Sequence, residues 1–183
     1  MLLTGLVVFL GVHIIPYSPA RDVLFAKLGP NAYRGVFSIV SLVGIVLICI
    51  GYGQVPVEYL FTPVPWGRGV LLTVMPLVLI LFAAANMPTH IRAVLRHPMM
   101  LGTLVWAALH FVANGERAAS YLFGGFVLYA VISLVARMYS PKPPPGSSKP
   151  VAWKFDAMAV VGGLVVYAVL IHLHGWLFGV ALL

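Results

Sequence analysis

YRGVFSIVSLVGIVLICIGYG, residues 33–53, decides how this chain folds. After Arg34 the next charged residue is Glu58, so everything between them is uncharged. A helix needs about 20 predominantly apolar residues, at about 1.5 Å per residue, to cross the hydrocarbon core of a bilayer. The run meets that requirement and predicts a membrane-spanning helix. Working outward, five further apolar runs of similar kind lie at 1–16, 68–87, 98–114, 118–139 and 156–182. The expected fold is all-α, a polytopic transmembrane bundle of about six helices in a single domain covering 1–183.

The composition agrees with these runs. Of the 183 residues 62% are hydrophobic and 8% charged, against roughly 25% charged in soluble domains. A chain so poor in charge cannot cover a water-facing surface. The formal net charge is +7, from 11 Lys and Arg against 4 acidic residues. The basic residues stand at the ends of the apolar runs and not on one soluble face, which argues against nucleic acid as a partner. The single cysteine excludes an internal disulfide and any paired-cysteine zinc motif. The first run opens Met1-Leu2-Leu3-Thr4-Gly5 with no basic residue ahead of it, and so reads as a retained helix and not a cleavable leader.

Six crossings divide the polar joints between two faces. One face collects Arg21, Lys27, Arg34, Arg92, Arg96, Arg137, Lys142, Lys149 and Lys154; the other has Arg68 and Arg117. Nine against two is a strong positive-inside bias. Both termini are therefore expected outside the cytoplasm. The joint 140–155 between helices 5 and 6 begins Ser-Pro-Lys-Pro-Pro-Pro-Gly-Ser-Ser-Lys-Pro, an extended proline-rich cytoplasmic loop. In the joint 88–97, Arg92 and Arg96 stand one helical turn apart with Ile91, Val94 and Leu95 opposite, the pattern of a short amphipathic helix on the inner leaflet. Pro98 suits the first position of the next helix, and Asn114-Gly115 suits its end.

Carboxylate and thiolate chemistry is poorly supplied. Asp22, Glu58, Glu116 and Asp156 all fall in joints or at helix ends, where solvent or lipid headgroups are the expected surroundings. Cys49 lies among Leu47, Ile48 and Ile50 and reads as an inert packed thiol. Six histidines remain. His172 and His174 are two apart near the outer surface and point in different directions on a helix, so they do not share a metal. His90 belongs to the amphipathic joint, and His97 stands at the mouth of the fourth helix.

His13 and His110 lie deeper. On a helical wheel His110 shares a face with Thr103, Trp106, Ala107, Ala113 and Asn114, while Leu101, Leu104, Val105, Ala108, Phe111 and Val112 form an opposite, lipid-like face. An ionisable residue at that depth is a functional candidate. Two inward imidazoles on different helices with aromatic neighbours suit a b-type haem; zinc would require three or four ligands that this core lacks. The expected metal ligands are His13 and His110. Their depths differ by roughly 8 Å at 1.5 Å per residue, and His97 is the other candidate partner for His13. Arg34, Arg92 and Arg96 are candidates for anchoring headgroups or haem propionates on the inner side.

Several motifs occur in order along nearly the whole chain. They are Gly11-Val12-His13, then Tyr33-Arg34-Gly35-Val36-Phe37-Ser38 running into Ser41-Leu42-Val43-Gly44, and then Gly51-Tyr52-Gly53. After these come Arg96-His97-Pro98-Met99-Met100-Leu101-Gly102, Trp106, His110 and Ala113-Asn114-Gly115-Glu116. Together they resemble the NnrU family of membrane proteins. The resemblance implies a multi-pass protein of the bacterial inner membrane, linked to nitrite and nitric oxide respiration in denitrifying bacteria. Its expected partners are the lipid bilayer, a lipophilic or small-molecule substrate, and respiratory complex proteins.

The same superfamily includes 15-cis-zeta-carotene isomerase, a haem b membrane enzyme, and by resemblance its haem ligands fall on His13 and His110. That enzyme has a cysteine three positions before the second histidine, where this chain has Ala107. Two other classes remain open. One is a non-enzymatic accessory membrane subunit. The other is an S-adenosylmethionine-dependent methyltransferase, because Arg96-His97-Pro98 with Gly102 is also similar to a motif of the isoprenylcysteine and phospholipid methyltransferases. Those enzymes use a downstream pair of glutamates, and here only Glu116 follows.

Overall fold

The computed structural model describes residues 1–139 and 150–182. Every regular element among the described residues is helical: α1 (Leu2–Ile14), α2 (Ala20–Gln54), α3 (Gly67–Ala84), α4 (His90–Leu95), α5 (Pro98–Ala113), α6 (Arg117–Met138) and α7 (Trp153–Phe178). A single turn of 3₁₀ helix, Ile15–Tyr17, closes α1. The expected all-α architecture is therefore present, and the six apolar runs match α1, α2, α3, α5, α6 and α7 to within a few residues, apart from the start of α2. Four of these, α2, α3, α6 and α7, are long and apolar enough to cross a membrane. The apolar helices α1 and α5 are shorter, at 13 and 16 residues. Residues 140–149, which carry most of the proline-rich joint expected at 140–155, lie outside the described residues.

Two local features differ from a simple alternation of spans and loops. The stretch from Ala20 to Leu28, expected as a joint, is helical and runs into α2 across a break at Gly29, whose φ of 74° and ψ of 166° leave the helical region. Glycine tolerates that positive φ, and Pro30 restarts the helix at a position where a missing N–H costs nothing. The amphipathic joint does form a helix, α4, capped by the Thr89 side chain, which accepts from Arg92 N at 3.0 Å. Its Val94 and Leu95 are 78% and 39% exposed.

Helix contacts place the elements in the lateral order α2, α1, α6, α5, α3, α7. Close approach of α1 to α2 depends on glycine. A Cβ built on Gly5 would lie 2.6 Å from Ile48 N, and one on Gly44 would lie 2.8 Å from Phe9 Cβ. Small residues at such crossings let two helices gain dispersion contact, the main attraction available where lipid is as apolar as the side chains. The outer helices α2 and α7 turn many aliphatic side chains outward, among them Ile39, Leu42, Val161 and Val165, all more than half exposed. An apolar exterior of this extent matches lipid contact.

α5 sits between α3 and α6, and none of its residues from Met100 to Ala113 is exposed. The opposite face expected to meet lipid therefore meets protein instead: Val105 packs with Leu71, Met75 and Val78 of α3, and Phe111 lies against Gly124 of α6. A helical wheel separates polar from apolar faces, yet lipid and a neighbouring helix both select the same apolar side chains.

The polar joints gather at two ends. At one, Leu60 N donates to Gly115 O at 2.8 Å, Arg117 pairs with Glu58, and Arg68 donates to the carbonyls of Ala181 and Leu182. At the other, Ala152 N donates to Pro88 O, and Arg137 reaches both His97 and Tyr17. This second, basic end carries Arg92, Arg96 and Arg137 from the group counted together in the sequence.

Candidate functional site

The sequence-predicted site residues fall in three places. His13 stands in the last turn of α1, with its Nδ1 2.6 Å from the carbonyl of Phe9. His110 stands in the last turn of α5, with its Nδ1 2.8 Å from the carbonyl of Trp106. A carbonyl only accepts, so in each case Nδ1–H donates, which in a neutral ring leaves the lone pair on Nε2. A backbone acceptor on one ring nitrogen is how metal-ligating histidines have their tautomer and orientation fixed. Both side chains are half-buried.

Aromatic rings surround and connect the two imidazoles. His13 has ring centroids of Phe9 at 4.4 Å, Phe37 at 4.9 Å and Tyr129 at 6.2 Å. His110 has Phe123 at 4.7 Å and Trp106 at 5.3 Å. Phe126 of α6 lies 6.0 Å from Phe9 and 5.3 Å from Trp106, completing a run of rings from one histidine to the other. Phe123, Phe126 and Tyr129 recur every three residues and so form one face of α6, with α1 packed on one side and α5 on the other.

His110 is at the level of Phe123 and His13 at that of Tyr129, which separates them by about 9 Å along the axis at 1.5 Å rise per residue. The structure thus presents each imidazole on the aromatic face but does not bring the two side by side, because the rings of Phe9, Phe126 and Trp106 occupy the interval. Nitrogen donors in apolar aromatic surroundings are chemistry that a haem iron accepts, but one iron held by both histidines requires the rings of Phe9, Phe126 and Trp106 to leave that interval. No group of three or more His, Cys, Asp or Glu able to hold a metal ion exists among the described residues.

His97 and Arg96 belong elsewhere, at the basic end. A cavity of about 380 Å³ is lined there by Asn86, Arg92, Arg96, His97 and Arg137, with Ala85, Pro98, Met99 and Met100. Arg137 Nη1 donates to His97 Nδ1 at 3.2 Å, and its Nη2 donates to Tyr17 Oη. Burial and then the positive charges of Arg137, Arg96 and Arg92 hold the His97 imidazole below its ordinary pKa. Arg96 takes φ 58° and ψ −44°, and His97 N donates to Leu95 O at 2.6 Å, so the chain turns from α4 into α5 through a γ-turn. Arg34 is exposed on α2 and lines neither this cavity nor the aromatic face. Its neighbour Tyr33 lines a small apolar cavity of about 60 Å³ with Phe37.

Sequence reasoning missed Arg137, which lines the basic cavity from α6, and Tyr17, which accepts from Arg137 in the turn after α1. The only sequence signal was their placement at the same end. It also placed Asp156 and His90 in solvent or headgroup surroundings. Instead the buried Asp156 accepts from His90 N at 2.9 Å and Ile91 N at 3.3 Å, and pairs with His90 Nδ1 at 2.7 Å. The imidazole stacks on Trp153 at 4.2 Å. This pair ties α4 to α7. Cys49, expected to be packed, is on the exposed surface of the bundle.

The family model described as NnrU protein matches residues 1–182. No curated protein and no solved structure matches the chain.

Proposed function

The chain belongs to the NnrU family, and from that premise we propose that it is a six-crossing bacterial inner-membrane protein that binds one haem b through His13 and His110. The observation that carries the reading is the pair of imidazoles at the two ends of one aromatic face, each with Nδ1–H tied to a backbone carbonyl and Nε2 free. Bound there, a haem would supply an iron centre for one-electron or ligand-exchange chemistry. The chain's own contribution is to hold Nε2 of each histidine as a neutral donor, to exclude water with Phe9, Trp106, Phe123 and Phe126, and to stack aromatic rings on a flat apolar ligand.

By the positive-inside rule the basic end faces the cytoplasm and both termini face outward. The family resemblance supports, as part of this proposal, a role in nitrite and nitric oxide respiration. Within that setting, a haem-carrying accessory subunit fits better than an isomerase or oxidoreductase acting by acid–base catalysis, because none of the four carboxylates reaches the aromatic face. A methyltransferase reading is weaker still: Glu116 lies with Tyr59 at the end opposite Arg96-His97-Pro98.

An absorption spectrum of the detergent-purified protein, oxidised and then dithionite-reduced, tests the proposal. The expected result is a sharpened α band on reduction, lost in His110→Ala and in His13→Ala while the helical circular dichroism persists. Full haem content in both variants would reject the ligand assignment and make His97 the next residue to replace. A flat visible spectrum, after expression with added haem, would reject the cofactor. Titration with S-adenosylmethionine would then separate a methyltransferase from an accessory protein.

A further inference from the structure

The chain has four carboxylates, and the fold uses all of them away from the basic cavity. Asp22 pairs with Arg21, Glu58 with Arg117 and Asp156 with His90, while Glu116 is within hydrogen-bond reach of Tyr59 Oη. Arg92, Arg96 and Arg137 meanwhile converge on one cavity of about 380 Å³ with Asn86 and His97. A guanidinium stays protonated under all ordinary conditions. Three of them share this space with no counter-charge from any described residue.

The cluster is held in place. Arg137 is fixed by His97 and Tyr17, and lies with its guanidinium carbon 4.8 Å from the centre of the Tyr17 ring. Its Nε is buried and has no partner among the described residues. Arg96 keeps a positive φ, which strains a non-glycine residue and which glycine would relieve. α5 begins at the same cavity, with His97 as its cap and Pro98 and Met99 next, so the positive end of a 16-residue helix dipole adds to the field.

We propose that this cavity binds the phosphate group of an anionic ligand, with Arg92, Arg96 and Arg137 as its counter-charges. Guanidinium forks match phosphate oxygens in geometry and form charge-assisted hydrogen bonds with them. Two sources offer that chemistry: the headgroup of an anionic phospholipid, next to which the exposed Val94 and Leu95 of α4 would lie in the lipid surface, and a soluble phosphate.

The test uses the full-length protein, delipidated in detergent, with two probes. Phosphatidylglycerol binding is measured against phosphatidylcholine by native mass spectrometry, and inorganic phosphate is titrated while the thermal unfolding midpoint is followed. Saturable binding is expected for at least one probe. It should weaken about tenfold in Arg92→Gln/Arg96→Gln, the loss expected when a charge-assisted hydrogen bond is removed, and stay unchanged in Arg34→Gln. Arg92→Gln alone serves where the double variant does not fold. Binding of phosphatidylglycerol without a phosphate response assigns the site to a lipid headgroup; a phosphate-induced rise in the midpoint assigns it to a soluble ligand. The proposal is overturned if neither probe binds above phosphatidylcholine, or if the Arg92 variants weaken binding less than about threefold.

Discussion

Replacing Gly44 by alanine tests the packing that positions His13. The added Cβ would stand 2.8 Å from Phe9 Cβ and 2.9 Å from Phe9 Cα and N. Carbon atoms rest at about 3.5–4.0 Å, so α1 must retreat by about 1 Å, because two of the three clashing atoms are backbone and cannot swing aside. The same pair of helices is clamped again at Gly5 and Gly51, where a Cβ would meet Ile48 N at 2.6 Å and Leu2 N closer still. Overpacking of this kind costs about 1–3 kcal/mol, partly offset by up to about 1 kcal/mol of helix propensity gained on removing a glycine. Against backbone atoms the upper part of that range, about 2–3 kcal/mol, applies, so after the offset the net loss is about 1–2 kcal/mol, which in a chain of this size lowers the unfolding midpoint by roughly 2–8 °C.

Intrinsic tryptophan fluorescence during heating in detergent reads that midpoint. Gly53→Ala, on the same helix with nothing within 4 Å of the added carbon, is the control; it should be unchanged or slightly more stable. Equal midpoints for the two variants would refute the argument. Phe9 also supplies the carbonyl that holds His13 Nδ1 and a ring 4.4 Å from the imidazole. Gly44→Ala should therefore lower haem retention, and Gly53→Ala should not.

Two other predictions concern the basic end. Asp156→Ala removes the acceptor for His90 N, Ile91 N and His90 Nδ1 and should loosen α4; faster limited proteolysis within residues 88–97 would show α4 released, and wild-type protection would contradict the role given to this pair. The depressed pKa of His97, caused first by burial and then by Arg137, Arg96 and Arg92, fixes the sign of a pH effect. Below about pH 6.5 the unfolded chain takes up a proton on this imidazole that the folded chain refuses. Stability should therefore fall as pH drops from about 6.5 toward the folded pKa, with a slope lost in His97→Gln; identical pH profiles for the two proteins would count against it.

Much of this molecule is legible from hydropathy and charge alone. The boundaries of five apolar runs lie within a few residues of α1, α3, α5, α6 and α7, because a helix that must satisfy its own backbone in lipid is set by local composition. The amphipathic helix α4 and the gathering of basic residues at one end were readable for the same reason. The start of α2 was not, because residues 20–28 carry Arg21, Asp22 and Lys27 in a polar joint whose helicity leaves no hydropathy signal.

What the sequence determined by itself is an all-helical, apolar chain of this family with its charge sorted to the helix ends, all properties of runs of neighbouring residues. Lateral order was decided only in three dimensions, by where a glycine lets one backbone settle on another, as Gly44 does beneath Phe9. That order puts α5 in the interior, sets His13 and His110 at different levels of one aromatic face, and draws Arg137 of α6 across to His97 and Tyr17. The reason is physical: lipid and protein solvate an aliphatic side chain equally well, so a linear pattern of hydrophobicity cannot say which neighbour each face will meet.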